Sequence, residues 1–64
     1  MTEVNFMPVW RKRAKISQWE LAQMLRISQK DISDYETGKV LPPIDIRLTI
    51  AKILGKDVRD IFPY

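Results

Sequence analysis

From residue 16 to residue 38 the apolar positions follow a helical rhythm that starts twice. Leu21, Ala22 and Leu25 share one face with Met24 at its edge, and further on Ile32 and Tyr35 point together. The same start signature stands before each run, eleven residues apart. Ser17 is placed to N-cap with Glu20 reaching back from N3, while Ile16 lies opposite Leu21 at N4, which makes a capping box with a hydrophobic staple. Ser28 repeats the pattern with Asp31 as a shorter N3 partner and Ile27 set to staple to Ile32. Each cap contributes about 1 kcal/mol, a large share in a small domain. The first helix has room only for residues 17–25, so Arg26 and Ile27 must turn the chain into the second. Gly38 supplies the positive φ that ends the second helix near Thr37. Away from its apolar side that helix carries Lys30, Ser33, Asp34 and Thr37 at i, i+3, i+4 and i+7, with Gln29 at its exposed first turn.

Two short helices joined by so tight a turn, each with one apolar face, pack at a steep angle as a helix-turn-helix. Upstream, residues 5–15 predict a helix with Met7, Trp10 and Ala14 on one side, Phe6 beside them, and Pro8 confined to the first turn, where it is tolerated. After Pro42-Pro43 a longer helix is expected over 44–54, closed by Gly55, and Asp57 caps a last short helix carrying Val58, Ile61 and Phe62. The longer helix is apolar over a wide arc. Ile44, Leu48 and Ala51 make one stripe and Ile46, Ile50 and Ile53 another, so the helix is expected to have neighbours on two sides, with part of the second stripe left for a partner chain. No alternating run or Asn-Gly turn signals a strand. The expectation is an all-α, compact five-helix bundle forming a single domain over residues 1–64, with its core in 5–62 and the helix-turn-helix at 17–37.

Composition removes most chemistry. The 64 residues include no His and no Cys, which takes away disulfides, zinc sites, thiol nucleophiles and the usual general base. There is no Gly-rich phosphate loop and no scaffolded pair of acids, so the chain is read as a non-enzyme with no metal, no cofactor and no small-molecule ligand. At 45% hydrophobic and 30% charged it is an ordinary globular composition without a membrane-length apolar run. The start MTEVNF lacks a basic region leading into an apolar stretch, and a cytoplasmic location is expected. Net charge is +3, but Arg11, Lys12, Arg13 and Lys15 hold four positive charges, while Arg26, Lys30 and Lys39 are cancelled by Asp31, Asp34 and Glu36. Basicity is therefore concentrated near the N-terminus, either steering the chain toward phosphates or forming a solvated helix face.

The string SQWELAQMLRISQKDISDYETGK, residues 17–39, resembles the helix-turn-helix of the phage repressor and Cro (XRE-like) family of DNA-binding proteins. The likeness runs from about residue 7 to 62 through Arg11, Ser17-Gln18, Leu21-Ala22, Ser28-Gln29, Ile32, Glu36-Thr37-Gly38, Leu54-Gly55 and Ile61-Phe62. It implies a lambda-repressor-like domain whose third helix, residues 29–37, enters the major groove of double-stranded DNA. Transferred position by position, base reading falls on Gln29, Lys30, Ser33 and Asp34, and phosphate contact on Gln18, Ser28, Thr37 and Lys39. Gln29 is suited to adenine N6 and N7, Lys30 to guanine O6 and N7, and Asp34 to cytosine N4. The likeness also makes Arg11 and Glu36 a structural ion pair, tying the first helix to the end of the third. Where the family commonly has Gly, this chain has Arg26, so the turn is expected either to differ or to carry strain. Asp31 is explained by the Ser28 cap, whereas Asp34 has no such role and is the better specificity candidate.

The functional reading is a small prokaryotic or phage transcriptional regulator of repressor type. The alternative is a protein-interaction module or antitoxin-like partner on the same fold, since fold alone does not set function. One module of about 600–1,000 Å² gives limited affinity, so a homodimer on a palindromic operator is expected. Ile46, Ile53, Val58, Phe62 and Tyr64 are the candidate dimer contacts. Trp19 points away from Leu21, and either stacking on neighbouring groups or a place against sugar-phosphate is open to it.

Overall fold

The computed structural model describes residues 5–63. Its helices are α1 (Met7–Arg13), α2 (Gln18–Leu25), α3 (Gln29–Glu36), α4 (Ile44–Leu54) and α5 (Val58–Ile61), and no strand occurs among the described residues. They enclose one core of Met7, Leu21, Ala22, Ile32, Tyr35, Ile50, Ala51, Leu54, Ile61 and Phe62. α2 packs on α3, and α4 packs on both α2 and α5. None of the described helices is long and apolar enough to cross a membrane.

Both capping boxes form. The Glu20 N–H donates to Ser17 Oγ at 3.0 Å and the Ser17 N–H to Glu20 Oε1 at 2.9 Å. In the second box the Asp31 N–H donates to Ser28 Oγ at 3.1 Å and the Ser28 N–H to Asp31 Oδ2 at 3.3 Å. The shorter Asp still closes the box. Between the two helices Arg26 takes the left-handed conformation, φ +57° and ψ +42°, so the turn keeps a geometry that favours Gly, with a side chain on it. Such a residue carries a cost of about 1–2 kcal/mol.

α1 is shorter than its pattern suggests. Asn5 lies ahead of the helix, where its Oδ1 accepts the Met7 N–H at 2.9 Å and its Nδ2 donates to the Tyr35 carbonyl at 2.6 Å. At the other end Ala14 is the C-cap and exposed, and Lys15 turns the chain at φ +59°, so Ala14 is not on the core side as the periodicity implied. Trp10 is half-buried instead. Its indole N–H donates to the Asp60 carbonyl at 3.1 Å, with Lys56 Nζ 4.3 Å and the Arg13 guanidinium 5.0 Å from the ring centre, which binds α1 to α5.

α4 is rotated relative to the expectation from its two stripes. Ile50, Ala51 and Leu54 face the core with Ile46 and Ile53 half-buried against it, whereas Ile44 and Leu48 are 56% and 52% exposed. The reason is that α2 and α5 both press on the side that carries Ile50 and Leu54, and Pro42, fully buried, pins the start of the helix. This changes the candidate partner surface. Phe62 is 2% exposed and fills the monomer core, so it offers no face to a second chain, and Ile46, Ile53 and Val58 are already packed in part. Tyr64 lies outside the described residues.

Candidate nucleic-acid interface

α3 has two sides with different partners. Ile32 and Tyr35 are buried, fixing the helix on the core, while Gln29 and Lys30 are exposed and Ser33 and Asp34 half-exposed on the other side. Lys30 Nζ donates to Asp34 Oδ2 at 2.9 Å, one turn apart. Asp34 is therefore paired within its own helix. The hydrogen bond from Lys30, aided by the charges of Lys30 and Lys39, holds the Asp34 carboxyl below its ordinary range, and the same bond raises the Lys30 ammonium. Both groups stay charged near neutral pH, one donating and one accepting, yet together they add no net charge.

The N-terminal end of α3 is tied to its C-terminal end through a chain of side chains. Arg11 Nε donates to Glu36 Oε2 at 2.6 Å, Arg11 Nη2 to Glu36 Oε1 at 3.3 Å, and Arg11 Nη1 to the Ile16 carbonyl at 2.9 Å. The two side chains are 10% and 7% exposed, so this forked pair is nearly dry. Glu36 Oε1 also accepts from Gln18 Nε2 at 3.0 Å, and Gln18 Oε1 accepts from Gln29 Nε2 at 3.4 Å. The first helix, the second and the outer face of the third thus meet in one polar network.

The positions transferred as phosphate contacts differ in what they offer. Ser28 accepts its cap bond through Oγ and keeps its hydroxyl proton, and the cap leaves the Gln29 and Lys30 amides as the unfilled donors of that turn. Gln18 retains one amide proton beyond its bond to Glu36. Lys39 is exposed just past α3, its own N–H donating to the Asp34 carbonyl at 2.9 Å. Thr37 is different. Its hydroxyl donates to the Ser33 and Asp34 carbonyls at 3.0 and 3.3 Å and its N–H to the Ser33 carbonyl at 3.0 Å, so neither of its donors is free for a phosphate. Trp19 is 59% exposed on α2, next to Gln18.

Two residues of structural weight do not stand out in the sequence. Asn5 is 5% exposed and joins the start of α1 to the last turn of α3. Arg47, half-buried on α4, encloses its Nε without a hydrogen-bond partner. Neither belongs to a local pattern: the Asn5 bond spans 30 positions, and nothing nearby signals it.

The chain matches a family model described as helix-turn-helix over residues 10–61. It is 33% identical over 60 residues to an uncharacterised helix-turn-helix-type transcriptional regulator of Methanocaldococcus jannaschii, covering 94% of this chain and 91% of that protein. The crystal structure of a candidate DNA-binding protein from Bacteroides fragilis superposes with a TM-score of 0.83 at 24% identity, covering 91% of this chain and 94% of the other. At that identity the likeness shows a shared fold.

Proposed function

Because the chain belongs to the helix-turn-helix family, we propose that it is a transcriptional regulator that binds double-stranded DNA, inserting α3 into the major groove and acting by occupancy in the manner of a repressor. In this reading residues 1–64 form one such domain. The supporting observation is the division of α3 into a side locked to the core by Ile32, Tyr35 and the Arg11–Glu36 pair and an opposite side of Gln29, Lys30, Ser33 and Asp34. A helix held this firmly presents donors and acceptors at fixed positions, which is what discrimination among base edges needs. Ser28, Gln18 and Lys39, with the amides that open α3, would take the flanking phosphates. Thr37 is left out because both its donors are used.

Pairing with a second copy on a palindromic site completes the proposal. Following α3 along the chain, Val40, Leu41, Ile44 and Leu48 are apolar and each between 45% and 56% exposed. They run from the loop that leaves α3 into the first half of α4, so a two-fold axis through them flanks itself with two reading helices. This surface replaces the one built on Phe62 and the second stripe of α4.

Binding of a fluorescent duplex across a salt series tests the function. Association at low salt that falls steeply and log-linearly as salt rises is expected from several phosphate contacts. No duplex binding at low salt would favour the protein-interaction module.

A further inference from the structure

The chain enters α2 and α3 through the same local structure, built twice. Lys15-Ile16-Ser17-Gln18 recurs eleven residues later as Arg26-Ile27-Ser28-Gln29. In each copy the cation takes a positive φ, +59° at Lys15 and +57° at Arg26. The Ile that follows is half-buried against the core, and the Ser caps the next helix. The backbone bonds match as well. The Lys15 and Ile16 N–H groups donate to the Lys12 and Arg11 carbonyls at 3.0 and 3.1 Å, and the Arg26 and Ile27 N–H groups to the Gln23 and Ala22 carbonyls at 3.2 and 3.0 Å. We propose that Lys15 and Arg26 form a paired contact site for the phosphates of a DNA backbone, one cation from each turn. This rests on the proposed binding of duplex DNA.

The fold itself has no use for a cation at either place. A positive φ favours Gly, and any side chain there carries a cost. Both side chains are exposed, and among the described residues neither makes a hydrogen bond, ion pair or ring contact. Neighbouring charges are engaged instead. Arg11 is closed on Glu36 and Lys30 on Asp34, while the acids that follow the two turns, Glu20 and Asp31, accept the N–H groups of Ser17 and Ser28. The side chains of Gln18 and Gln29 meet at 3.4 Å, which sets the two helix starts side by side. Two unpaired cations therefore stand ahead of the edge where Gln18 and Ser28 are proposed to meet phosphates. Those two groups bring hydrogen bonds without charge, whereas displacing the counterions of a duplex takes cations. The Arg26 guanidinium can grip two phosphate oxygens at once, and the Lys15 ammonium acts as a point charge.

The test measures duplex binding across a salt series for Lys15→Gly, Arg26→Gly and the double variant. Gly relieves the backbone at both positions, so these proteins should melt no lower than the wild type, and weaker binding cannot then be blamed on unfolding. Each single variant is expected to lower the slope of log affinity against log salt by about 0.9, and the double variant by about 1.8. Affinity should fall for all duplexes alike, since phosphates carry no sequence information. Lys15→Arg and Arg26→Lys keep the charge and should keep the wild-type slope. Lys52→Gln removes an exposed cation from the last turn of α4 and should leave the slope unchanged, which controls for net charge. An unchanged slope in either Gly variant, or an equal fall in Lys52→Gln, overturns the paired site and leaves duplex binding standing. Absence of duplex binding by the wild type at low salt overturns both.

Discussion

Two ion pairs sit on α3 and differ in nearly everything except their chemistry. Arg11–Glu36 joins residues 25 positions apart, is forked, and is almost removed from water. Lys30–Asp34 joins residues four apart on one helix, with the Lys side chain 76% exposed. The buried pair must stay closed, since opening it leaves a charge in a dry place. The outer pair opens more easily, because water reaches the Lys30 ammonium, although the Asp34 side chain is only 17% exposed. One pair therefore holds the helix, and the other leaves the Lys30 ammonium within reach of water on its outer side.

The largest effect follows from breaking the buried pair. Arg11→Met should lower stability by about 3 kcal/mol, measured by denaturant unfolding. Adding Glu36→Leu should recover much of that loss, since the stranded carboxylate is what destabilises. An unchanged melting temperature in Arg11→Met would erase the contrast between the pairs. Arg26→Gly comes next, in the opposite direction. Relief of the left-handed turn at φ +57° exceeds the extra chain entropy of Gly, giving a gain of about 0.5–1 kcal/mol in the same unfolding measurement.

Acid has a smaller effect and acts on the exposed groups. Asp34 is lowered first by its bond from Lys30, Glu20 by hydrogen bonds from Ser17, and Asp57 by the backbone N–H and side chain of Arg59. A carboxylate whose folded pKa is depressed contributes stability above its unfolded pKa and loses it as pH falls through the folded value. Melting temperature should therefore hold on the neutral side and decline only below about pH 4, where free carboxylates protonate. A decline beginning near pH 6 would contradict these assignments. Smallest of all, Asp34→Asn should lower the melting temperature only slightly, through loss of the Lys30 pair, while altering which duplexes are bound.

What is legible in the sequence follows the same division. The caps at Ser17 and Ser28, the Gly38 stop and the apolar faces of α2 and α3 are local, so spacing alone exposes them. The Arg11–Glu36 pair is visible only through resemblance to a family, because a bond across 25 positions leaves no periodic trace. Asn5 escapes notice for the same reason. The orientation of α4 departs from its expected one because a helix apolar over a wide arc does not say which arc its neighbours will take, and only the packing of α2 and α5 decides it. The Lys30–Asp34 pair is local, with i, i+4 spacing on one helix, and the structure shows it formed.

Selection from a pool of random duplexes, run in parallel with the wild-type protein and with Asp34→Asn at matched fold stability, addresses the outer face of α3 most directly. The wild-type protein should enrich one palindromic site, and Asp34→Asn should enrich a site changed at the base pairs facing α3. Enrichment of the same site by both proteins, or of none by the wild type, would contradict the assignment of this face to sequence recognition.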